Sequence, residues 1–282
     1  MQSSIQPAAK PPVVVIEPLQ GWAFFQLREL WEYRELLYFL IWRDVKVRYK
    51  QTILGGAWAI LQPLLTMVVF SMIFGYLARL PSDGAPYPIF TYTALLPWQL
   101  FAHALTQSSN SLVMNRQLIT KVYFPRLIIP IAAVLAGLVD FGIGFIVLLG
   151  MMFYYGIMPT LATLAIPLFV FQTVATALAV GLWLAALNVR YRDVQYTIPF
   201  LAQFWLFITP VAYSTSLIPE RWRVFLGLNP MTGVVEGFRW ALLGKSDDVG
   251  LLVFVSAVMV GSVLLGGLIY FRRMEGTFSD VV

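Results

Sequence analysis

Long apolar stretches alternate with short polar segments along most of the chain. A helix needs about 20 consecutive apolar residues to cross the hydrocarbon layer of a bilayer. The pattern therefore predicts an all-α membrane protein with six transmembrane helices, the fifth of them short, in one domain over residues 51–282. The six predicted stretches cover residues 53–77, 89–112, 127–155, 161–187, 196–211 and 249–271.

The chain before the first apolar stretch divides into two parts. Residues 1–18 contain Lys10, Glu17 and several prolines but no apolar core of signal-peptide length, so we expect a disordered leader and no cleaved signal. Residues 19–50 mix aromatic side chains such as Trp31 with charged ones. This mixture predicts an amphipathic helix in the membrane interface. The alternative is a short cytoplasmic helix packed on protein.

Between the fifth and sixth stretches, residues 213–248 form a segment that is neither a span nor a simple loop. Two helical patterns, 217–226 and 231–243, are separated by Asn229 and Pro230, which suit an N-cap and the first helical position. We expect a re-entrant periplasmic hairpin, which must be buried in protein or line a cavity. The alternative is an amphipathic cap resting on the outer surface.

The composition supports the membrane assignment and adds an orientation. Hydrophobic residues make up 59% of the chain and charged ones 12%, with a mean hydropathy of +0.77. Lys and Arg are concentrated before the first stretch, in the second-to-third and fourth-to-fifth loops, and after the sixth stretch. The positive-inside rule then predicts that both termini are cytoplasmic. The net charge of +5 therefore concerns orientation and lipid headgroups, and no nucleic-acid partner is expected.

Several kinds of chemistry have no sequence basis. The chain contains no cysteine and one histidine, which argues against disulfides, thiolate catalysis and a His-rich metal site. A GxxxxGK[ST] nucleotide-binding loop is absent, and no paired carboxylates or nucleophile elbow stand out. We therefore expect no catalytic residue, no metal and no cofactor bound by this chain.

Two ionisable residues fall inside the predicted spans. Asp140 lies among glycines that allow close helix approach, so it is either a structural hydrogen-bond acceptor or part of a pathway. His103 belongs to a polar stripe that either lines a hydrophilic path or bonds neighbouring helices. The other members of that stripe are Gln99, Thr106, Gln107 and Asn110.

Active transport by this chain would require an energy source on another polypeptide, and the predicted cytoplasmic loop 113–126 offers a docking surface. It combines basic and apolar side chains, and exposed apolar groups on so short a loop need a partner surface. The alternative is that they pack beneath the protein's own helix ends. The candidate coupling residues are Arg116, Leu118, Lys121, Tyr123, Phe124 and Arg126.

Five motifs in order carry a family resemblance that covers nearly all the chain from residue 36 onward. They are LIWRDVKVRYKQTILGGAWAILQPLLTMVVFSMIFG (40–75), LITKVYFPRLIIP (118–130), LNVRYRDV (187–194), FWLFITPVAY (204–213) and LNPMTGVVEGFRWALLG (228–244). The chain resembles type-2 ABC transporter permeases, and in particular the membrane subunit of O-antigen and related polysaccharide exporters. Only the proline-rich leader lies outside the pattern.

The resemblance implies a mechanism and a set of partners. Two copies of the permease would pair with two ATPase subunits that carry ATP and Mg²⁺, in the bacterial inner membrane among its lipids. The cargo would be a polysaccharide linked to undecaprenyl diphosphate. Loop 113–126 would be the coupling helix, the amphipathic segment the interface helix, and the 213–248 hairpin would shape the outer exit.

Two groups of residues are candidates for handling such a cargo. Basic side chains before the first span could attract the diphosphate, or could serve only as positive-inside anchors. Aromatic and polar side chains could line the sugar path, while the aromatic belt is the alternative for each aromatic. The first group is Arg43, Lys46, Arg48 and Lys50, and the second is Trp58, Tyr92, Gln99, His103, Tyr213, Glu236 and Arg239, with Trp98 and Trp240 as weaker members.

Three other functions stay open at this point. The same fold could export capsule, teichoic acid, a drug or a lipid. A membrane enzyme acting on lipid-linked glycans would need outward-facing acids or a metal, and the acids of the outer hairpin have no recognisable signature. A secondary transporter would be expected to show ionisable pairs at membrane depth and inverted repeats.

Overall fold

The computed structural model describes residues 27–50, 55–244, 249–276 and 278. Within these residues the chain is entirely α-helical, with short 3₁₀ and π-helical turns and no β-strand. The predicted leader 1–18 and the first part of the predicted interface segment lie outside the described residues. The α-helices are α1 (Leu27–Glu32), α2 (Arg34–Lys50), α3 (Gly55–Phe70), α4 (Tyr87–Met114), α5 (Arg116–Lys121), α6 (Ile128–Tyr154), α7 (Ile166–Arg190), α8 (Val194–Ile208), α9 (Glu220–Leu226), α10 (Pro230–Leu243) and α11 (Val249–Glu275).

Four of the six predicted spans are helices both long and apolar enough to cross a membrane. They are Gly56–Leu77, which continues α3 through a π-helical turn at Ser71–Leu77, Ile128–Tyr154, Leu161–Arg190 and Val249–Glu275. These helices correspond to the predicted first, third, fourth and sixth stretches. The coarse prediction of an all-helical membrane protein is confirmed, whereas the count of six stays a prediction.

The remaining two stretches are helical but differ from a simple span. Helix α4 has 28 residues, enough for about 42 Å at 1.5 Å per residue, yet it carries the polar stripe. Helix α8 has 15 residues, or about 22 Å, which is less than the roughly 30 Å of a hydrocarbon core.

Helix α4 lies at the centre of the bundle and packs against α3, α6, α7, α8 and α10. Most of its residues are buried, including polar ones. The hydroxyls of Thr93, Thr106 and Ser109 each donate to the carbonyl four residues earlier in the same helix. These three hydroxyls are thus satisfied within the helix, as burial in a low-dielectric interior favours, whereas the buried hydroxyls of Thr91 and Ser108 make no hydrogen bond among the described residues.

Two hydrophobic clusters divide the bundle. The larger one gathers α4, α6, α7 and α10 around side chains such as Phe90, Phe101 and Phe238. The smaller one joins Leu40 of α2 to Phe124, which follows α5, and to Phe271 at the end of α11. Segments far apart in sequence therefore share one cluster at the end of the bundle that holds α5.

Burial differs strongly among the four candidate spans. More than half of the most apolar window of Leu161–Arg190 is buried, compared with 6% of that of Gly56–Leu77. The former belongs to the protein core, whereas the residues of the latter are almost all at least partly exposed, to lipid or to another protein surface.

The predicted hairpin forms two short helices, α9 and α10. The Asn229 side chain accepts a hydrogen bond from the Met231 amide at 3.1 Å, and Pro230 opens α10, so the predicted cap is confirmed. The same side chain accepts from Trp205 Nε1 at 2.8 Å and donates to Thr209 at 3.0 Å. Helix α10 is almost completely buried, while α9 exposes Trp222 and Phe225.

Candidate functional site

A cavity of about 860 Å³ lies among the end of α2, α3, α4 and α6. It brings together four of the predicted site residues, Arg48, Trp58, Gln99 and His103, although they come from three helices. Polar or aromatic side chains that contribute further to its wall are Tyr49, Gln62, Thr66, Trp98, Thr106 and Asp140.

The helical period explains why Arg48 reaches this cavity while the other predicted basic residues do not. Arg43, Lys46 and Lys50 are spaced three and four apart, so they share one side of α2, and Arg48 falls on another side. Arg43 pairs with Asp44 at 2.8 Å, and the Lys46 ammonium lies 5.2 Å from the centre of the Trp42 ring. The structure therefore separates the basic group into one cavity residue and three outward ones.

Arg48 joins α2 to α4 and α6 through its guanidinium. Its Nη1 donates to an Asp140 carboxylate oxygen, and its Nη2 lies 2.6 Å from His103 Nε2. The Tyr49 hydroxyl donates to the other Asp140 oxygen. Burial, followed by this hydrogen bond, raises the pKa of Tyr49 to about 12, so the phenol stays protonated at physiological pH.

The contacts of Asp140 match the predicted hydrogen-bond acceptor, and its place in the cavity wall leaves the pathway interpretation open. About a quarter of each side chain of the Arg48–Asp140 pair is exposed, 26% and 27%. The pair is therefore partly desolvated but still accessible from the cavity.

The aromatic and amide members of the cavity wall offer surfaces suited to a sugar. Trp58 is 53% exposed, which leaves a ring face open. Gln99 is half-buried on α4 beside Trp98. An indole face can stack on a sugar ring, and amide groups both donate and accept hydrogen bonds.

The other predicted path residues lie outside this cavity. Tyr92 is fully buried in α4, and its hydroxyl donates to the Gly144 carbonyl at 3.2 Å. Glu236 and Arg239 form a buried ion pair at 2.8 Å within α10. Tyr213 is half-buried, and its carbonyl accepts from Arg239 at 3.3 Å. Trp240 is 38% exposed at the end of α10.

Arg239 holds the chain between α8 and α9 in place. Its Nη2 donates to the Val211 carbonyl at 2.9 Å, and its guanidinium carbon lies 3.6 Å from the centre of the Phe90 ring. The nearby loop before α4 adds a second tie, because Ser214 and Ser216 both donate to Asp83. These residues make a packed polar network in the single chain.

The predicted coupling loop has an exposed part and a buried part. Arg116, Lys121 and Tyr123 are exposed, Tyr123 at 75%, and Leu118 is half-buried. Phe124 is only 4% exposed, in the smaller hydrophobic cluster. Packing beneath the protein's own helix ends is thus the arrangement of Phe124, whereas docking through the exposed side chains stays a prediction.

The last candidate coupling residue binds within the chain. The backbone amide of Arg126 donates to the Glu275 carboxylate at 3.1 Å, and its side chain donates to the Glu275 carbonyl. Arg126 therefore fastens the start of α6 to the end of α11.

Sequence reasoning missed three features of these sites. It did not pair Arg48 with Asp140, it did not single out Tyr49, and it did not connect Arg126 to Glu275. Arg48 and Asp140 are separated by 92 residues, and Arg126 and Glu275 by 149, so no local sequence pattern links either pair. The available signal was the polar character of Asp140 inside an apolar stretch.

The fold and the cavity define a class, that of a polytopic helical membrane protein with a cavity of mixed polar and apolar lining at the end of α2. Comparison with known proteins gives the family: residues 35–243 match the model of the ABC-2 type transporter family. Since this match covers most of the chain, the protein belongs to that family, and the predicted family resemblance is confirmed.

Relatives fall into two groups. The O-antigen export system permease protein RfbA of Myxococcus xanthus is 33% identical over 76% of this chain and 82% of its own length. A protein of the same name from Klebsiella pneumoniae is 28% identical over 88% of this chain and 95% of its own. The polysialic acid transport protein KpsM of Escherichia coli is 23% identical over 84% of this chain and 92% of its own length.

Proposed function

We propose that this chain is the membrane subunit of an ATP-driven exporter that moves lipid-linked polysaccharide of the O-antigen type across the bacterial inner membrane. The observation that carries the proposal is the family match together with relatives of that name over four fifths or more of their length. Polysialic acid transporters align at lower identity, so a capsule polymer is the second candidate cargo.

The cavity supports a carbohydrate cargo. It combines the indoles of Trp58 and Trp98 with the amides of Gln62 and Gln99, in a volume of about 860 Å³. Sugars need both kinds of surface, because their ring faces are apolar and their edges carry hydroxyls.

ATP and Mg²⁺ belong, in this proposal, to a separate ABC ATPase present in two copies. The export-system relatives are named permease proteins, which denotes the transport subunit. Tyr123, with Val122 beside it, forms an exposed apolar patch that follows Lys121, and Arg116 at the start of α5 is exposed as well. Such a patch is suited to a cleft on a partner with an acidic rim.

The six-span topology with both termini in the cytoplasm completes the proposal. Helix α4 is long enough to cross, and the short α8 would be completed by the α9–α10 hairpin dipping into the outer leaflet. The buried state of α10 fits this arrangement, because irregular backbone at membrane depth must be covered by protein.

The interface role of α1 and α2 has support from their exposed aromatic residues. Trp31, Tyr38 and Trp42 recur at spacings of seven and four, so they share one face, and all three are exposed. Arg34 and Lys46 lie over Trp31 and Trp42. Aromatic rings flanked by basic groups are typical of membrane interfaces.

Two copies of the chain would form the path, with α3 facing the partner copy. Its most apolar window is only 6% buried, and Trp58 and the cavity lie beside it. Pairing through this face would enclose the cavity between copies. The outward Arg43, Lys46 and Lys50 would then attract the diphosphate lipid at the membrane surface.

Paired substitutions in the coupling loop test the partner ATPase. Tyr123→Ala should lower co-purification of the cognate ATPase by about ten-fold or more while the permease keeps its thermal stability, because that ring is exposed. Phe124→Ala should instead destabilise the permease by about 3–5 kcal/mol, because it empties a buried site.

The control for this pair is Tyr191→Ala, which removes an exposed aromatic ring between α7 and α8. Undiminished ATPase binding by the Tyr123 variant would contradict the docking assignment. The cargo is tested separately, by measuring ATP hydrolysis of the assembled complex with and without lipid-linked glycan. Stimulation is expected, and its absence would count against polysaccharide export.

A further inference from the structure

The cavity contains one charge pair whose two members come from distant parts of the chain. Arg48 lies in the last turn of α2, and Asp140 lies near the middle of α6. The positive and negative charges cancel, so the pair adds no net charge to the cavity wall. An anion entering the cavity would therefore meet a cation that is already neutralised.

A charge in the middle of an apolar helix is costly, and by default such a charge indicates a functional site. Helix α6 contains no other Asp or Glu and no His, Lys or Arg, so Asp140 is an exception in an apolar span. Its carboxylate is also not sealed in the core, because 27% of the side chain remains exposed to the cavity. The Glu236–Arg239 pair, by contrast, is almost completely buried.

The guanidinium of Arg48 presents its two terminal nitrogens to different groups. Nη1 binds Asp140 and Nη2 faces His103. A guanidinium fork binds phosphate oxygens in the same bidentate way as carboxylate oxygens. The Asp140 oxygen thus occupies the position at Arg48 that an incoming phosphate oxygen would take.

We propose that Asp140 is a placeholder counter-ion that holds Arg48 in the ligand-free permease and is displaced by the diphosphate group of the cargo. Arg48 and His103 then bind the diphosphate, and Asp140 repels it. The inference rests on the proposed function, because it takes the lipid diphosphate of the exported polysaccharide as the ligand. Arg48 and His103 would recognise this group, and Asp140 would help to release it.

The placeholder explains how a diphosphate can bind and still move on. Arg48 alone would hold a polyanion tightly, whereas a nearby carboxylate competes for the same nitrogens and lowers the affinity. Return of Asp140 to Arg48 would compensate for the departure of the ligand, so the transported group need not leave an unpaired charge in the cavity.

The test measures binding to the complete permease–ATPase complex in nanodiscs, with polyprenyl diphosphate, polyprenyl monophosphate and inorganic pyrophosphate as separate probes. Asp140→Asn should tighten diphosphate binding by about ten-fold, because a repelling charge is removed from the site. Arg48→Gln should weaken it by about ten-fold or more. Arg48→Gln combined with Asp140→Asn should bind more weakly than Asp140→Asn alone, because the cation that binds the diphosphate is gone.

Matched controls come from Arg192→Gln and Asp193→Asn, which change the same residue types at exposed positions between α7 and α8. Competition by inorganic pyrophosphate would show recognition of the diphosphate itself, and failure to compete would show that the lipid is needed as well. Equal binding of the monophosphate and diphosphate lipids would overturn the diphosphate assignment. Equal affinities of wild type and Asp140→Asn would overturn the placeholder.

The inference and the proposed function can fail separately. If lipid-linked glycan stimulates ATP hydrolysis in wild type while the Asp140 and Arg48 variants bind diphosphate like wild type, the export function stands and the placeholder does not. If wild type shows neither stimulation nor diphosphate binding, both fail. Thermal stability of each variant is measured in the same nanodiscs. Asp140→Asn should bind the diphosphate lipid more tightly than wild type even if the variant is less stable. A purely structural role of Asp140 would not produce tighter binding.

Discussion

Two ion pairs of this protein, Glu236–Arg239 and Arg48–Asp140, occupy opposite kinds of surroundings. Glu236 and Arg239 lie on one helix with 6% and 2% of their side chains exposed, whereas Arg48 and Asp140 join two helices at about a quarter exposed each. The first pair is closed in by protein, and the second lines a cavity. The comparison indicates which pair maintains the fold and which is available to a ligand.

The difference extends to the partners of each arginine. Arg239 donates to the Val211 and Tyr213 carbonyls and lies against Phe90, so it fixes backbone that no ligand can reach. Arg48 contacts a carboxylate and an imidazole, two side chains that can rotate away. Backbone contacts resist displacement because the chain itself would have to move.

Breaking the closed pair should have the largest effect. Arg239→Met removes a cation that balances Glu236 and satisfies two carbonyls, so the free energy of unfolding should fall by about 3–5 kcal/mol. Thermal or denaturant unfolding in detergent measures it. Replacing both members, Glu236→Leu with Arg239→Met, should recover part of the loss because no unpaired charge remains buried. A single variant as stable as wild type would show that the pair does not maintain the fold.

The local features of α10 could be predicted from the sequence, whereas the residues that pack against this helix could not. The cap at Asn229 and Pro230 was predictable because a helix start depends on adjacent residues. Glu236 and Arg239 were singled out, but as residues of an exit path. Their burial depends on Phe90 and Val211, which the fold brings to α10 from other helices.

The same limit applies at the cavity. Helix positions, the family and the polar stripe of α4 were accessible because each shows in a run of residues. The predicted basic group Arg43, Lys46, Arg48 and Lys50 looked uniform in sequence, although the helical period already separated Arg48 from the rest. Its pairing with Asp140 required the packing of α2 on α6, which depends on tertiary contacts alone.

Substitution of Tyr49 tests the Arg48–Asp140 pair, and we expect a smaller change in the free energy of unfolding. Tyr49→Phe removes one hydrogen bond to Asp140 and should lower the free energy of unfolding by about 1 kcal/mol at neutral pH. The pKa of Tyr49 is raised from 10.0 to about 12 in the fold, so its stabilisation is complete below the unfolded value and is lost as the pH rises through that interval. Wild type should therefore lose stability more steeply than Tyr49→Phe between those two values.

The control for this measurement is Tyr196→Phe, which alters an exposed phenol on α8. Stability is followed as a function of pH for the three proteins. Parallel curves for wild type and Tyr49→Phe would mean that the Tyr49–Asp140 hydrogen bond does not contribute to the stability of the fold.

Substitution of Arg43 should change the free energy of unfolding least, so this variant is the reference for the other ion-pair variants. Its pair with Asp44 joins adjacent residues of α2 at the protein surface, with 35% and 29% of the side chains exposed. Exposed pairs of this kind contribute about 0.5 kcal/mol or less, because water screens them and both side chains lose rotamer freedom. Arg43→Gln should therefore leave the unfolding transition nearly unchanged, whereas Arg48→Gln leaves the Asp140 carboxylate without its cation inside an apolar helix and should shift it clearly. If the two variants were equally stable, the exposure of an ion pair would not determine its contribution to the free energy of unfolding in this protein. The distinction between Arg48 in the cavity and Arg43 at the surface would then rest on ligand binding alone.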